Sequence, residues 1–512
     1  MFFLLSSFVD VLTNLSKVSF ILLCILVVAW IVWYKKTRLR QASLPPGPTV
    51  LPLVGNLLTM VSPDLYKTLS DLRKQYGDVY RLYIGKELMI VLNGYDVIQE
   101  AMVKNGSIFS DRPWCPFRQK IMDNPVLMAA SGKVWKDTRS FSQQSLKKIC
   151  LDNSALKLQE ILTEEVEYFL KEMDERDNTE LNIVKFVDIY SLNVVFRLVF
   201  GHRFTHDDSD GLYMTEVYNE LGMEFAKLQV MANCFDFLLK LPCDLLNLNK
   251  FLKLRNKLDT FMRYFAELPN HNYDSSTSTF CDEYLEELDR NENSDIDDVR
   301  GFSSLNKHRL PNTCSELIGA ASDTTANAIG WLIVYLVREP DIQMKMFEEI
   351  KQVLGTEEQP VLEDKTRLPY TEAVILESLR ISSSVPYAIP HAVSKTIDFQ
   401  GYTIPEGSTI LVNLKSVLHD DVVFKNPEEF IPDRFMNATH TETVVPKEFV
   451  PFSLGPRSCL GISIAMKEMF LVIVALVQRY ELLPSSSLPE STGILSTVYK
   501  PRPFTVRIKK RT

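Results

Sequence analysis

The feature that most restricts the fold of this chain is a ten-residue segment near its C-terminus, Phe452–Gly461, which reads FSLGPRSCLG. Its cysteine, Cys459, lies between Gly455 and Gly461, and a mostly apolar stretch over 462–479 follows. Glycine allows a tight turn that brings backbone N–H groups close to the sulfur. The positive N-terminal end of a following helix also favours a thiolate. A structural role is the usual one for a single cysteine, but this context indicates a metal ligand.

A thiolate is an effective axial ligand for a haem iron, because it pushes electron density toward oxygen and favours O–O cleavage. We therefore predict that Cys459 ligates a haem and that Arg457 binds one of its propionates. The other seven cysteines are scattered and include no CxxC pair, which argues against a zinc site or a disulfide framework. The net charge of −9 does not indicate a nucleic-acid partner.

The segment around Cys459 resembles the haem-binding loop of the cytochrome P450 superfamily, and the likeness extends over nearly the whole chain. Glu377 and Arg380 resemble the family's Glu-x-x-Arg motif, whose spacing puts both side chains on one helix face. Pro432–Phe435, with Arg434, resembles the Pro-x-Arg-Phe element. The resemblance implies a buried triad of Glu377, Arg380 and Arg434 that holds the loop before the haem cysteine. The alternative is an exposed ion pair.

Several further residues resemble the family's propionate contacts. Trp135 and Arg139 match the Trp-x-x-x-Arg motif and would share a helix face at i and i+4. Arg112 and His391 match two other contacts. The alternative for each is an ordinary polar side chain on the protein surface. The predicted haem-binding residues are Cys459, Arg457, Trp135, Arg139, Arg112, His391, Phe452, Gly455 and Gly461, and Cys459 is the predicted metal ligand.

The segment Leu317–Thr325 resembles the family's oxygen-activating helix. The resemblance implies that Asp323 and Thr324 are catalytic, since an acid beside a hydroxyl can relay protons from solvent. The alternative is a threonine whose hydroxyl bonds back to its own helix. Two features depart from the family pattern. Ala321 replaces the usual glycine, and Pro311 interrupts a stretch that is normally helical, so the helix is expected to begin at Pro311.

The N-terminus predicts a membrane anchor. Val18–Tyr34 carries no charge and would span about 26 Å as a helix, close to the thickness of a bilayer core. Basic residues follow it, which places the rest of the chain in the cytosol by the positive-inside rule. A cleaved secretory signal is the alternative. We therefore predict an anchor over 1–34, a basic and proline-rich spacer over 35–48, and a catalytic domain over 49–512.

The predicted fold class is mainly α with small β-sheets, a cytochrome P450 fold preceded by one transmembrane helix. Alternation over 78–93, broken at Gly85-Lys86, predicts a hairpin, and a second strand pair is expected around 398–414. Helical periodicity marks 159–173 and 341–354, while the acidic stretch 289–298 is expected to be a solvated loop.

The resemblance implies a haem-thiolate monooxygenase with haem b that inserts one oxygen atom of O2 into a xenobiotic, steroid or fatty acid. It implies electrons from NADPH-cytochrome P450 reductase, with cytochrome b5 as a further candidate partner, and a single-pass protein of the endoplasmic reticulum membrane. The expected substrate-lining segments are 115–128, 219–231, 385–389 and 495–498, and 238–248 is expected to dip into the membrane. The alternatives are a haem-thiolate isomerase or dehydratase and a non-catalytic haem protein.

Overall fold

The computed structural model describes residues 43–62, 64–113, 124–150, 155–235, 244, 246–267, 278–293 and 302–511. The predicted anchor over 1–34 lies outside the described residues, as do 35–42 of the predicted spacer and most of the segment expected to enter the membrane, 238–243 and 245. The described end of the spacer packs on the body, because the carbonyl of Pro46 accepts a hydrogen bond from the Arg81 N–H at 2.8 Å.

Helices make up most of the described chain, as predicted. In chain order they are α1 (Leu57–Met60), α2 (Leu65–Tyr76), α3 (Tyr95–Gln99), α4 (Gly132–Cys150), α5 (Ala155–Asp174), α6 (Ile183–Phe200), α7 (Ser209–Cys234), α8 (Leu248–Glu267), α9 (Phe280–Asn293), α10 (Leu310–Arg338), α11 (Pro340–Leu354), α12 (Pro369–Ser382), α13 (Lys415–Leu418) and α14 (Ile462–Arg479). A π-helical turn covers Glu100–Lys104, and 3-10 turns cover Leu362–Arg367, Pro432–Phe435 and Gly455–Arg457.

The strands are short and form small sheets. They are β1 (Val79–Ile84), β2 (Glu87–Leu92), β3 (Glu180–Leu181), β4 (His391–Ala392), β5 (Ile397–Phe399), β6 (Tyr402–Ile404), β7 (Thr409–Val412), β8 (Tyr480–Pro484), β9 (Gly493–Leu495), β10 (Tyr499–Pro501) and β11 (Val506–Lys510). The largest described sheet has the order β1-β2-β7-β4, another has the order β3-β11-β8, and two hairpins pair β5 with β6 and β9 with β10.

The hairpin predicted over 78–93 is confirmed, with Val79 opposite Leu92 and Ile84 opposite Glu87. The second predicted strand pair is correct in part. β5 and β6 form a hairpin, but β7 leaves it and pairs in parallel with β2. Both faces of β7 are covered, since Ile410, Leu411 and Val412 are buried. A strand buried on both faces gains more from the interior of a sheet than from a local hairpin.

Two long helices form the centre of the core. α10 packs along α6, and α14 buries every residue from 468 to 478. Helices that are apolar around their whole circumference must be surrounded by protein, whereas amphipathic ones such as α5 and α11 bury one face. α10 is long and apolar enough to cross a membrane, but two-thirds of its most apolar window is buried inside the protein. It is therefore a core helix.

Two expectations about boundaries can be compared with the structure. α10 begins at Leu310 with Pro311 in its first turn, one residue before the predicted start, where a proline needs no intrahelical donor. The prediction of a loop from residue 289 was wrong for 289–293, which form the last turn of α9, and 294–298 lie outside the described residues. All five residues of this turn are charged or amide-bearing in the sequence, a composition that a solvent-facing helix end tolerates.

Candidate haem-thiolate site

The segment that carries Cys459 is a folded loop fixed by backbone contacts. Gly455 has a φ of +75°, and a Cβ on it would lie 1.9 Å from the carbonyl oxygen of Met102. Only glycine permits this approach. The N–H of Cys459 then donates to the carbonyl of Phe452 at 3.0 Å, and α14 begins three residues after the cysteine. The sulfur is therefore held at the N-terminal end of a buried helix.

The Cys459 thiol differs from the other cysteines whose side chains are described. Cys150, Cys281 and Cys314 are buried, while Cys459 is exposed. Surrounding protein raises the pKa of the Cys459 thiol, while the Gly461 N–H and the Arg139 guanidinium act to lower it. This cysteine alone among the four combines access with thiolate-stabilising donors, which is what a metal ligand requires.

A group of arginines converges beside the cysteine. Arg457 donates to the carbonyls of Ser110 at 2.8 Å, Leu127 at 2.9 Å and Ala130 at 2.6 Å. Its guanidinium stacks on the Trp135 ring at 3.8 Å from the ring centre.

Two more guanidiniums lie nearby. Arg139 donates to the carbonyl of Ser458 at 2.8 Å, one residue before the cysteine. Burial and the positive charges of Arg112 and Arg139 lower the pKa of Arg457 to about 8. Three cations close together repel one another, so an anionic ligand beside them would be stabilised.

Arg112 and His391 join the same region from elsewhere in the chain. Arg112 donates to the carbonyls of Met128 at 2.7 Å and Ile389 at 2.7 Å. His391 is buried, and its Nδ1–H donates to the carbonyl of Phe109 at 2.7 Å. Burial, together with the charge of Arg112, lowers the pKa of His391 to about 3. His391 is thus a neutral imidazole whose Nε2 remains an acceptor.

These residues fit a haem. An accessible thiol stands at a helix N-terminus, and Arg457, Arg112 and Arg139 supply the positive charge that two propionates need. Trp135 contributes an indole N–H in the same cluster. The structure brings Arg457, Trp135, Arg139, Arg112 and His391 together beside the Cys459 loop, and Phe452, Gly455 and Gly461 belong to that loop. The role of each side chain remains a prediction.

The predicted triad has the predicted geometry. Glu377 and Arg380 are fully buried on α12, and Arg380 donates to both carboxylate oxygens, at 2.7 and 2.9 Å. Arg434 donates to the same carboxylate at 3.0 Å, and so does the backbone N–H of Ile431 at 2.9 Å. The exposed ion pair that was the alternative is not what the structure shows. Arg380 also bonds the carbonyls of Leu418 and Pro427, so the triad joins α12 to the chain that leads to the cysteine loop.

The two predicted catalytic residues on α10 face different surroundings. The Thr324 hydroxyl donates to the Ala320 carbonyl at 2.6 Å, which is the back-bonded arrangement considered as an alternative. A hydroxyl in this arrangement keeps its acceptor lone pairs. Asp323 forms an ion pair with Lys500 on β10, and Lys500 also donates to Asn219 on α7. The Asp323 side chain therefore contacts the C-terminal strand β10.

Sequence reasoning missed Glu316, which ties the segment after residue 124 to α10. Its carboxylate accepts the N–H of Met128 at 2.6 Å, and Asn312 donates to the carbonyl of Asn124 at 2.9 Å. Burial raises the pKa of Glu316, while the N–H groups of Met128 and its neighbours act to lower it. A signal was present: Glu316 is the only charged residue between Leu310 and Ser322. A single charge in an apolar helix indicates a buried partner.

Comparison with known proteins identifies the family. The sequence profile described as cytochrome P450 matches residues 45–507. The chain belongs to the cytochrome P450 family. It is 31% identical to cytochrome P450 2U1 of Bos taurus over 98% of this chain and 95% of the relative. It is also 31% identical to cytochrome P450 2C3 of Oryctolagus cuniculus, with 90% and 92% coverage, and to cytochrome P450 1A1 of Macaca mulatta, with 91% and 93% coverage.

Membership settles the class of the enzyme and its cofactor. This cytochrome P450 is a haem-thiolate monooxygenase, an oxidoreductase that binds haem b. The predicted fold class is confirmed at the level of a mainly helical protein with small sheets. Cys459 and the surrounding arginines are the residues of this chain that would hold the haem.

Proposed function

We propose that this cytochrome P450 inserts one oxygen atom of O2 into a lipophilic xenobiotic, steroid or fatty acid with electrons that NADPH-cytochrome P450 reductase delivers. The observation that carries the proposal is the combination, in one chain, of the Cys459 loop with the acid and hydroxyl pair Asp323 and Thr324 on α10. The first can hold a redox-active haem, and the second can move protons during oxygen activation.

The proposed division of work follows from the contacts. Bound haem supplies the redox chemistry, and thiolate ligation favours O–O cleavage. Cys459 would be the iron ligand, and Arg457, Arg112 and Arg139 would neutralise the propionates. The triad around Glu377 would keep the chain before the cysteine loop in one conformation. Thr324 would hold a proton at its Oγ1, and its bond to the Ala320 carbonyl fixes the position of that oxygen.

Exposed apolar side chains support a lipophilic substrate. Met223, Ile389 and Leu495 are 46%, 40% and 40% exposed, and each belongs to a segment that the resemblance assigns to substrate contact. Contact between an apolar ligand and such side chains removes apolar surface from water, which is the usual source of affinity in such sites. Most of the fourth predicted segment, 115–128, lies outside the described residues.

The proposed location is the endoplasmic reticulum membrane, with the catalytic domain in the cytosol, and it rests on the apolar run Val18–Tyr34 and the basic residues after it. The proposed reductase surface consists of exposed lysines on α4 together with Lys467. Lys136 and Lys147 are exposed, while Lys148 already forms an ion pair with Glu283 at 2.5 Å. Cytochrome b5 is a further proposed partner for the same face.

Within the family, a haem-thiolate isomerase or dehydratase would need no reductase and no proton relay. A non-catalytic haem protein would also need neither the reductase nor the proton relay. The presence of both Asp323 and Thr324 favours the monooxygenase. NADPH consumption that depends on the reductase and on a substrate would separate the monooxygenase from these two alternatives.

The experiment is reconstitution of the full chain with the reductase, after a screen for lipophilic molecules that shift the haem Soret band. Product and hydrogen peroxide are then measured per NADPH for the parent and for Thr324→Ala. A proton-transfer group typically contributes about 10²–10⁴-fold, so product should fall much more than NADPH oxidation, with peroxide released instead.

A matched control is available on the same helix. The Thr313 hydroxyl donates to the Arg309 carbonyl at 2.8 Å, in the same i to i−4 geometry as Thr324. Thr313→Ala should keep the parent's ratio of product to NADPH. If Thr324→Ala and Thr313→Ala behave alike, Thr324 has only a structural role and the proposed proton path is wrong.

A further inference from the structure

A polar cavity lies beside α10, where Asp323 forms its ion pair with Lys500. It has a volume of about 170 Å³ and is lined by residues of α6, α7, α10 and β10. We call it the Lys500 cavity, and its polar lining is Asn182, Asp188, Asn219, Asp323, Asn327, Lys500 and Arg502. A single water needs about 10–15 Å³ of such space, so the cavity can hold several.

The charges around the Lys500 cavity do not balance. Lys500 donates to Asp323 and Asn219, and it is the only ammonium among the lining residues, whereas Asp323 and Asp188 are two carboxylates. Two carboxylates that share one cation cannot both be fully stabilised as anions. The remaining charged residue of the lining, Arg502, is engaged by Glu490 at 3.2 Å.

The imbalance affects Asp188 in particular. Burial, and secondarily the charge of Asp323, raises the pKa of Asp188 to about 7, although Lys500 acts in the opposite direction. Asp188 is therefore a carboxyl group that holds a proton near neutral pH and can also release it. The facing residue from α7 is the uncharged Asn219, and the charged groups that act on the pKa of Asp188 are Lys500 and Asp323.

Two further side chains indicate that water bridges the cavity. The Oδ1 atoms of Asn182 and Asn327 are buried and accept no hydrogen bond within the described part of the protein. Asn327 is held in place because its Nδ2 donates to the Tyr499 carbonyl at 2.9 Å. Buried acceptors of this kind are normally satisfied by ordered water, which can also carry protons between carboxyl groups.

We propose that Asp188 supplies protons, through water in the Lys500 cavity, to Asp323 and from there to Thr324, and that Lys500 gates the transfer. This inference rests on the proposed role of Asp323 and Thr324 in the monooxygenase. It adds the solvent-side half of the route, a donor on α6 and a gate on β10. Asp188 and Lys500 would be positioning and relay residues, because neither touches the substrate.

The transfer is balanced at each step. The O–H bond of the Asp188 carboxyl breaks, its proton passes to a water oxygen, and that water releases a proton to the Asp323 carboxylate. Asp323 can accept it once the Lys500 ammonium moves away from its Oδ1. Asp323 then passes a proton to the Thr324 oxygen while the Thr324 hydroxyl releases its own proton to the reacting group, and Asp188 takes a new proton from solvent. No electron moves, and the chain returns to its starting charge.

The first test observes the carboxyl group directly and does not depend on turnover. The infrared carbonyl band of a protonated aspartic acid is followed against pH in the full-length holoenzyme. A band that disappears as the pH rises through about 7 is expected in the parent and absent in Asp188→Asn. In Lys500→Gln its midpoint should move upward, because the stabilising cation is gone. A band that titrates in the ordinary aspartate range, near pH ~3.9, would overturn the proposal.

The second test compares product formed per NADPH across the pH range. In the parent this ratio should fall as the pH rises through about 7, because Asp188 loses its proton there. In Asp188→Asn it should be several-fold lower at neutral pH and independent of pH. Lys185→Gln, on the exposed side of the same helix, should keep the parent's profile.

The outcomes separate this inference from the proposed function. If Thr324→Ala loses coupling while Asp188→Asn matches the parent at every pH, the monooxygenase stands and the Asp188 route is wrong. If neither variant changes coupling, the proton role of Asp323 and Thr324 fails as well. Should Asp188→Asn not bind haem, Lys500→Gln still decides, since an unchanged infrared midpoint in that variant contradicts the proposal.

Discussion

Two charged clusters in this cytochrome P450 are built in opposite ways. In the Glu377 triad the guanidiniums of Arg380 and Arg434 share one carboxylate, which also accepts the Ile431 N–H, and Glu377 and Arg380 are fully shielded from solvent. Backbone carbonyls accept the remaining guanidinium donors. In the Lys500 cavity two carboxylates share one ammonium, and the space between them can take up water.

The difference shows how a fold can use clustered charges for two purposes. A network whose donors and acceptors are all hydrogen-bonded has no low-energy alternative, so the triad would hold the loop before the cysteine in one geometry. A network with one cation too few retains a group that can gain or lose a proton near neutral pH. The first suits the support of a cofactor, and the second suits the movement of protons.

The largest expected effect comes from breaking the paired cluster. Glu377→Ala leaves Arg380 and Arg434 without their shared counter-charge, and loss of one partner of a buried pair costs about 3–5 kcal/mol. Very little haem-loaded protein should be recovered, as measured by the haem-to-protein absorbance ratio. Normal haem content would mean that the triad does not support the loop.

A control on the same helix makes this comparison specific. Glu372 pairs with Lys365 at 3.0 Å but is partly exposed, and exposed pairs are worth only ~0–1 kcal/mol. Glu372→Ala should therefore bind haem almost as well as the parent.

An intermediate effect is expected from the unbalanced cluster. The folded pKa of Asp188, about 7, lies above the value of ~3.9 for an unfolded aspartate. Between these values the unfolded chain binds fewer protons, so the stability of the parent should fall as the pH rises toward 7 and then level off.

Asp188→Asn removes this dependence. The variant should gain on the order of 1–3 kcal/mol over the parent at pH 8 and nothing at pH 4, measured by denaturant unfolding. A difference between the two proteins that does not change with pH would contradict the assignment of the titrating group.

The smallest expected effect is on the proposed reductase surface. Lys136 is exposed on α4, and charges at the rim of an interface alter association rate more than affinity. Lys136→Glu should slow reduction by the reductase at low salt, by an amount worth less than about 1 kcal/mol, and the difference should shrink as salt is added. Lys253→Glu on α8, outside the proposed docking face, serves as the control and should be reduced by the reductase at the parent's rate. If the reductase reduces both variants at the same rate, Lys136 is not part of the docking surface.

Local patterns in the sequence predicted the local parts of the fold well. The β1–β2 hairpin and the helices over 159–173 and 341–354 follow from spacing alone. The pairing of β7 with β2 could not be predicted in this way, because Thr409 pairs with Met89 across most of the chain and nothing near residue 409 specifies that neighbour. The acidic run after residue 289 was misinterpreted because charge is compatible with an exposed helix end as well as with a loop.

The same distinction applies to the site. Glu377, Arg380 and Arg434 belong to short motifs, so their pairing could be predicted from a resemblance. Lys500 meets Asp323 across 177 residues of sequence, and Glu316 meets Met128 across 188. Such pairs have no local signature, and only the packing of α10 against the C-terminal strands and the segment after residue 124 brings them together.

The central claim, that Cys459 is the thiolate ligand of the haem, is tested most directly by the carbon monoxide spectrum of the reduced protein. The parent should show the red-shifted Soret band that thiolate ligation produces, and Cys150→Ala, at a buried cysteine, should keep it. Cys459→His should bind haem without that band, because a neutral imidazole donates less charge to the iron. Persistence of the thiolate-type band in Cys459→His would show that another residue is the ligand.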